Sequence, residues 1–192
     1  RRSIERPAYK EKLRIRSYSQ TDDNSMVFVE LKKKYKHVVY KRRISLPYTD
    51  ATAWLSREKH PAKHTQIANE IDYFLDYYGS LHPTVFLSYE RKAYYCNDGS
   101  DFRVTFDDNI LCRQEELSLD SEVYGTSILP EGKVLMEIKC SGGIPLWMTH
   151  VLSEEKIYKT SFSKYGTAYG MLIFPQTHAT NSYHMLEVAT NA

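Results

Sequence analysis

The chain has 192 residues, a net charge of +2, 42% hydrophobic residues and 13% aromatic residues. This composition excludes a disordered chain and is sufficient for a single domain with a hydrophobic core. No apolar run approaches the ~20 residues of a transmembrane helix, and the three cysteines are odd in number with no C-x-x-C spacing, which argues against a disulfide framework and a zinc knuckle. A protein of the reducing cytoplasm is therefore expected, including the cytosolic face of a membrane.

The first part of the chain is predicted to form strands, because its segments are rich in Val, Ile, Tyr and Phe and a polar turn separates the first two of them. The predicted strands are residues 9–18, 26–36 and 38–46. Between residues 50 and 78 the apolar residues recur with the period of a helix, and Gly79 ends this pattern. Pro61 divides the stretch into two predicted helices.

A hairpin is predicted from residues 83–95 and 100–108, joined by the turn Asn97-Asp98-Gly99, and residues 133–140 form a sixth strand. Pro145 then opens a further helix that covers the sheet. The apolar face of that helix is predicted to consist of Trp147, Val151 and Leu152. Residues 1–174 are expected to form one domain, and residues 175–192 a polar C-terminal tail without an assigned function.

Charged and apolar residues alternate in these strands, so each strand presents one ionic face. The basic residues on these faces are Lys12, Arg14, Arg16, Lys32, Lys34, Lys41, Arg43, Arg91, Arg103 and Lys139, and the acidic ones are Glu30, Asp107 and Glu137. Like charges directly opposite each other destabilise a sheet, so this imbalance favours a polyanion between the faces. The alternative is an open sheet whose ionic face meets water.

The three acidic residues need a separate explanation, because a carboxylate repels phosphate. Glu137, and either Glu30 or Asp107, are candidate ligands of Mg²⁺ or Mn²⁺, which prefer oxygen donors and bridge carboxylates to phosphates. The alternative is that each acid forms an ion pair with a basic residue on a neighbouring strand.

Six segments in order resemble the VTC domain, the catalytic domain of the vacuolar transporter chaperone polyphosphate polymerases. That family belongs to the triphosphate tunnel metalloenzyme, or CYTH-like, superfamily. The likeness extends over roughly residues 8 to 170. The segments are FVELK (28–32), VYKRR (39–43), LSYERKAY (87–94), FRVTFD (102–107), LMEIK (135–139) and SFSKY (161–165).

The resemblance implies an α+β fold, in which an eight-stranded antiparallel β-barrel flanked by helices binds a triphosphate or polyphosphate in its lumen. The implied phosphate ligands are Arg14, Arg16, Lys32, Lys41, Arg91, Arg103 and Lys164. Tyr89 and Ser163 are implied hydrogen-bonding partners of phosphate, and Glu137 is the implied ligand of Mn²⁺ or Mg²⁺. Alternation places Lys12, Lys34, Arg43 and Lys139 in the same lumen.

The chain departs from the family pattern in two places. The family usually has a basic residue where this chain has Ser161, and Lys159 is the nearest substitute. The family's amino-terminal strands also have no counterpart, so six strands are predicted where the barrel needs eight. The tunnel is therefore expected to be incomplete at its N-terminal end.

The predicted function is transfer of the terminal phosphate of ATP to a polyphosphate chain. The alternatives are hydrolysis of tripolyphosphate or nucleoside triphosphates, and binding of polyphosphate or inositol phosphates without turnover. Nucleic acid is not an expected partner, because the aromatic residues alternate onto the face opposite the cations and offer no stacking platform. A membrane-associated protein partner is compatible with the sequence.

Overall fold

The computed structural model describes residues 8–36, 38–62 and 65–174. These residues form seven strands, arranged as two antiparallel sheets, and four helices. The predicted α+β class with antiparallel strands is therefore confirmed. The predicted tail at 175–192 lies outside the described residues.

The first sheet has the order β1-β2-β3 and consists of β1 (Tyr9–Arg16), β2 (Met26–Tyr35) and β3 (Val38–Pro47). Two helices, α1 (Tyr48–Leu55) and α2 (Gln66–Tyr78), cover one face of it, and the break between them includes Pro61 as predicted. Val29 and Leu31 alternate onto that face and are fully buried with Trp54 and Ile71. This packing turns most of the charged residues of β1, β2 and β3 toward the other face, whereas Lys33 and Arg42 lie on the helix-covered face.

The second sheet is built around β5 (Arg103–Arg113), which pairs with β4 (Phe86–Tyr95), β6 (Thr126–Ser127) and β7 (Leu135–Lys139). Two helices follow, α3 (Leu146–Glu154) and α4 (Lys164–Leu172). Helix α3 packs on the apolar face of this sheet, as predicted, and α4 packs against β5 through the buried Ala168. The first turn of α4 therefore lies beside the ionic face.

The predicted apolar face of α3 is partly wrong. Met148 and Leu152 pack into the core, whereas Trp147 and Val151 are 53% and 43% exposed. The Trp147 ring instead meets the edge of the Phe102 ring, at 5.5 Å between centroids. The reason is the short length of the helix, which presents only a narrow stripe to the sheet.

Strand β5 is longer than predicted. The polar run Asp107-Asp108-Asn109 is typical of a turn, but the strand continues to Arg113 because its pairing with β4 shifts register between Ser88 and Glu90. Asn109 has φ +46°, and an asparagine tolerates this left-handed conformation better than most residues. The irregularity allows one strand to pair along its whole length.

Strand β6 and helix α4 were not predicted from the sequence. Strand β6 has only two residues, and α4 contains Gly166 and Gly170, which weaken the helical signal. Ser163 starts the helix, because its hydroxyl accepts a hydrogen bond from the backbone N–H of Gly166 at 3.1 Å. This cap, rather than an apolar periodicity, defines the beginning of α4.

The predicted eight-stranded barrel is not confirmed, because the described strands form two sheets without a closed ring of pairing. The sheets are connected at one side by the backbone N–H of Thr21, which donates to the carbonyl of Leu119 at 3.0 Å. The Tyr48 hydroxyl extends this contact, since it accepts a hydrogen bond from the Leu119 N–H at 3.1 Å.

Gly125 → Ala is expected to destabilise the second sheet. Gly125 has φ +146°, and a Cβ there would lie 2.6 Å from the backbone oxygen of Cys112 in β5. The strained backbone and the clash together should lower the free energy of unfolding by about 2 kcal/mol or more. Urea denaturation checks this, with Gly143 → Ala as the control, because its added Cβ meets no atom within 4 Å. Equal stability of the two variants would contradict the prediction.

Candidate functional site

The ionic face of the first sheet is strongly basic. Its basic residues are Lys10, Lys12, Arg14, Arg16, Lys32, Lys34, Lys41 and Arg43, and its acid is Glu30. The register places Lys12, Lys32 and Lys41 directly opposite one another across the three strands. Side chains paired in this way lie about 5 Å apart, so their positive charges repel each other.

Glu30 is the anion that holds part of this face together. Its side chain is only 2% exposed, and it accepts hydrogen bonds from Arg14 Nε at 2.6 Å and Arg43 Nε at 2.7 Å. Lys41 Nζ lies 2.8 Å from the same carboxylate. Burial alone would raise the pKa of Glu30, but the hydrogen bonds from these three cations outweigh it and lower the pKa to about 2.

Lys12 and Lys32, which lie in the row of paired residues next to Glu30, are repelled by the neighbouring positive charges. Burial, together with the charges of Arg14 and Lys32, lowers the pKa of Lys12 to about 8. Burial also lowers the pKa of Lys32, with contributions from Arg14 and Lys139. A negatively charged ligand beside this row would relieve both effects.

The second sheet has its own buried acid, Asp107, which is fully buried. Arg91 binds it through two parallel hydrogen bonds, from Nε at 2.5 Å and from Nη2 at 2.6 Å. Lys164 Nζ of α4 lies 2.5 Å from Asp107 Oδ2. Burial would raise the pKa of Asp107, but Arg91 and Lys164 lower it, and the hydrogen bonds to Asp107 raise the pKa of Arg91.

Glu137 of β7 shares Arg91 and Lys164 with Asp107 and forms longer ion pairs than Asp107 does. Its Oε1 lies 3.1 Å from Lys164 Nζ and 3.6 Å from Arg91 Nη2, and its Oε2 lies 3.4 Å from Lys139 Nζ. The Glu137 side chain is 20% exposed. Burial would raise the pKa of Glu137, but Lys164, Lys139 and Arg91 lower it, so the group is ionised and partly accessible.

The ionic faces of the two sheets approach each other. The charge of Lys139 on β7 lowers the pKa of Lys32 on β2. Lys12 Nζ of β1 lies over the ring of Tyr165 on α4, 4.7 Å from its centroid. Cations from both sheets can therefore contact one ligand that lies between them.

The remaining predicted residues occupy several environments. Arg16 and Arg103 are partly exposed and stack on Tyr18 and Tyr95, at 4.9 and 5.6 Å from the ring centroids. Lys34 pairs in register with Lys10, on the same face as Lys32. Tyr89 lies beneath Arg91 and Lys164, at 5.1 and 4.8 Å from its ring centroid. Ser163 caps α4 immediately before Lys164.

Asp107 was predicted as a candidate metal ligand, with an ion pair as the alternative. The structure places Asp107 in an ion-pair network with Arg91 and Lys164, as it places Glu30 in a network of its own. The alternative given for the acidic residues, an ion pair with a basic residue on a neighbouring strand, is therefore observed for Glu30 and Asp107. Tyr165 lies in the SFSKY segment but was given no role, because its contact with Lys12 depends on helix α4, which was not predicted.

The two predicted metal ligands differ in their surroundings. Three cations within 2.8 Å surround both oxygens of Glu30, and little of the carboxylate is exposed. Around Glu137 the cations are more distant. Thr105 is the residue directly opposite Glu137 in the β5–β7 register, and its buried Oγ1 has no hydrogen-bond partner among the described residues. An unsatisfied buried oxygen beside an accessible carboxylate suits a divalent cation. Within the described ranges, no cluster of three or more His, Cys, Asp or Glu could hold a metal.

The two antiparallel sheets, each with an ionic face, and the four helices define the described part of this chain as an α+β protein. A family model, the VTC domain, matches residues 1–173, and the chain belongs to that family. No curated protein matches the chain. In the part of the chain that the structure describes, no helix has both the length and the apolar character needed to span a membrane.

Glu30 → Gln is expected to lower the free energy of unfolding by about 3 kcal/mol at pH 7, because it leaves three cations without their buried counter-ion. The folded-state pKa of Glu30 is about 2 against an ordinary value of 4.5. Its stabilising effect is therefore complete above pH 4.5 and is lost as the pH falls toward 2. Urea denaturation across this range should show the difference between variant and wild type shrinking.

Glu70 → Gln is the matched control for that prediction. Glu70 also pairs with an arginine and a lysine of the first sheet, Arg42 and Lys33, but on the helix-covered face and with 23% of its side chain exposed. Removing this more exposed pair should cost less than about 1 kcal/mol. An equal loss of stability in both variants would show that burial of Glu30 is unimportant.

Proposed function

We propose that this protein is a polyphosphate polymerase that transfers the terminal phosphate of ATP to a growing phosphate chain. Membership of the VTC domain family supports a role in polyphosphate synthesis. The observation that carries the proposal is the approach of the two basic faces. The charge of Lys139 on the second sheet lowers the pKa of Lys32 on the first, and Lys12 contacts the ring of Tyr165 on α4. A linear chain of phosphates is the ligand whose charge and shape match a channel between two such faces.

The basic residues position the phosphates and neutralise their charge. Phosphoryl transfer needs little covalent chemistry from the protein, because the negative charge is spread over phosphate oxygens that cations can stabilise. Lys12, Lys32 and Lys41 form a continuous row for these oxygens, and Arg103 and Lys139 face it from the second sheet. In this proposal the end of the polyphosphate chain attacks the terminal phosphate in line, and no side-chain nucleophile is required.

Glu30 and Asp107 are proposed to hold the cations in place before substrate arrives. Each carboxylate is buried and orients guanidinium groups, Arg14 and Arg43 in the first case and Arg91 in the second. A guanidinium already fixed by one carboxylate loses little further freedom on binding phosphate. The two acids therefore increase the precision of the site although they do not touch the phosphates.

Glu137 is the proposed ligand of Mg²⁺ or Mn²⁺, and Glu30 is assigned to ion pairing because its oxygens are surrounded by three cations. When bound, the metal would neutralise phosphate oxygens and polarise the transferred group. Glu137 keeps an accessible oxygen for this purpose, and Tyr89 packs under Arg91 and Lys164 to hold them nearby. The closed tunnel remains part of the proposal, with the two sheets as its walls.

Purified protein incubated with ATP and Mn²⁺ tests the proposal. We expect a ladder of polyphosphate on a gel and ADP in equal amount to the phosphate incorporated. Release of orthophosphate without chain growth would favour hydrolysis, the alternative that the same cations would also support. Binding of polyphosphate with no change in ATP would favour a binding module, and either result would reject the polymerase.

Lys41 → Ala is expected to weaken polyphosphate binding about tenfold, because it removes one cation from the row that faces the ligand. Arg42 → Ala is the matched control, because Arg42 follows Lys41 in β3 but pairs with Glu70 on the opposite face. Both variants lose one positive charge from side chains of similar exposure, 44% and 40%. Isothermal titration calorimetry should show a loss of affinity in the first variant alone, and equal losses would exclude the ionic face as the binding surface.

A further inference from the structure

A cavity of about 240 Å³ opens at the hairpin end of the second sheet, between β4 and the first turn of α3. Phe102 and Val104 line it from below and are 4% and 8% exposed. Tyr94 of β4 and Trp147 of α3 line its sides and are 58% and 53% exposed. A cavity of this size is smaller than those that enclose a whole drug-sized ligand, so it suits a single planar ring system.

The two exposed rings of this cavity are braced by other rings. Tyr94 meets Phe106 edge to face, at 5.9 Å between ring centroids and an interplanar angle of 80°. Trp147 meets Phe102 in the same way, at 5.5 Å and 74°. Edge-to-face contact is a favoured arrangement of aromatic pairs, so both rings are oriented before a ligand is present. A flat aromatic ligand that covers them therefore removes apolar surface from water with little loss of side-chain freedom.

Tyr95 connects the cavity to the cations of the ionic face. Its ring lines the cavity, and Arg103 Cζ lies 5.6 Å from the centroid of the same ring. Arg103 pairs in register with Tyr95 on one side and with Lys139 on the other, so the three side chains share one face of the sheet. Strand β4 is at the edge of the described sheet, so a ligand can pass around it from the cavity to Arg103.

We propose that the cavity lined by Tyr94, Tyr95 and Trp147 binds the base of a nucleoside triphosphate, whose phosphates extend to Arg103 and Lys139. A nucleobase has the flat aromatic surface that these rings match, and every base can stack on tyrosine or tryptophan. Phosphates match the two cations beside the rings. An apolar ligand without phosphate would use the rings and leave those cations unmatched.

This base site gives the proposed channel a direction, and to that extent it rests on the proposed function. Lys139 lies beside the base site and also faces the first sheet, because its charge lowers the pKa of Lys32. The nucleotide would thus enter at the hairpin end of the second sheet, with its terminal phosphate furthest from the base. The growing phosphate chain would approach that phosphate from the opposite end of the channel.

Titration calorimetry with two ligands tests the base site: the β,γ-methylene analogue of ATP, and tripolyphosphate, which has the phosphates but no base. Trp147 → Ala and Tyr94 → Ala should each weaken binding of the analogue about tenfold and leave the affinity for tripolyphosphate unchanged. Tyr94 → Phe keeps the ring and should bind the analogue as the wild type does. Unchanged affinity for the analogue in both alanine variants, or equal losses for the two ligands, would overturn the proposal.

Tyr77 → Ala is the matched control. Tyr77 lies on α2, which covers the first sheet, and it is about as exposed as Tyr94, at 62% against 58%. This variant removes a surface tyrosine far along the chain from the cavity, so the affinities for both ligands should stay unchanged. A loss of affinity for the analogue equal to that of Tyr94 → Ala would show a general effect of removing a tyrosine and would overturn the base site.

Quenching of tryptophan fluorescence by acrylamide tests the base site in the unaltered protein, and so does not depend on the folding of any variant. The chain has two tryptophans, and Trp54 is only 1% exposed in the core of the first sheet, so Trp147 is the one that acrylamide reaches. The ATP analogue should protect Trp147 from quenching, and tripolyphosphate should not. Equal quenching with and without saturating analogue would overturn the proposal.

These measurements separate the base site from the proposed function. They detect binding without turnover, so a protein that hydrolyses ATP or only binds it can still show the predicted effects. Chain growth from ATP together with an unchanged KM for ATP in Trp147 → Ala would support the polymerase and reject the base site. Binding of tripolyphosphate but not of the analogue by the wild type would likewise reject the base site and leave the ionic face as a binding surface for polyphosphate.

Discussion

Buried carboxylates that bind several cations each are the interaction on which this structure depends. Glu30 holds Arg14, Lys41 and Arg43, and Asp107 holds Arg91 and Lys164, at distances of 2.5 to 2.8 Å. A dense set of positive charges on paired strands would otherwise be destabilising. The carboxylates make the basic faces compatible with folding in the absence of a ligand, and they fix the directions in which the cations point.

The two acids neutralise only part of the positive charge. Lys12 and Lys32 lie one row away from Glu30, and burial and neighbouring cations lower the pKa of both lysines. In the proposed function, this residual repulsion is the electrostatic free energy that polyphosphate recovers on binding. Glu30 and Asp107 order the cations that they bind, whereas Lys12 and Lys32 contribute positive charge that a polyphosphate would neutralise in the proposed function.

Several elements followed from sequence patterns, and others did not. Alternation correctly separated the charged faces of β1 to β3 from their apolar faces, and Pro61 correctly divided the helical stretch. The polar residues Asp108 and Asn109 concealed the continuation of β5, because a shift in register is a property of the strand pair and leaves no periodic signal. Helix α4 was missed because its start depends on the cap formed by Ser163.

The sequence by itself determined which side chains share a face of each strand, since that depends only on the period of two along an extended backbone. It also carried the ordered motifs that the VTC domain model matches. Only the tertiary structure decided which charges meet. Glu30 pairs with cations 13 and 16 residues away and Lys164 reaches Asp107 and Glu137 from a separate helix, so these contacts depend on register and packing between elements.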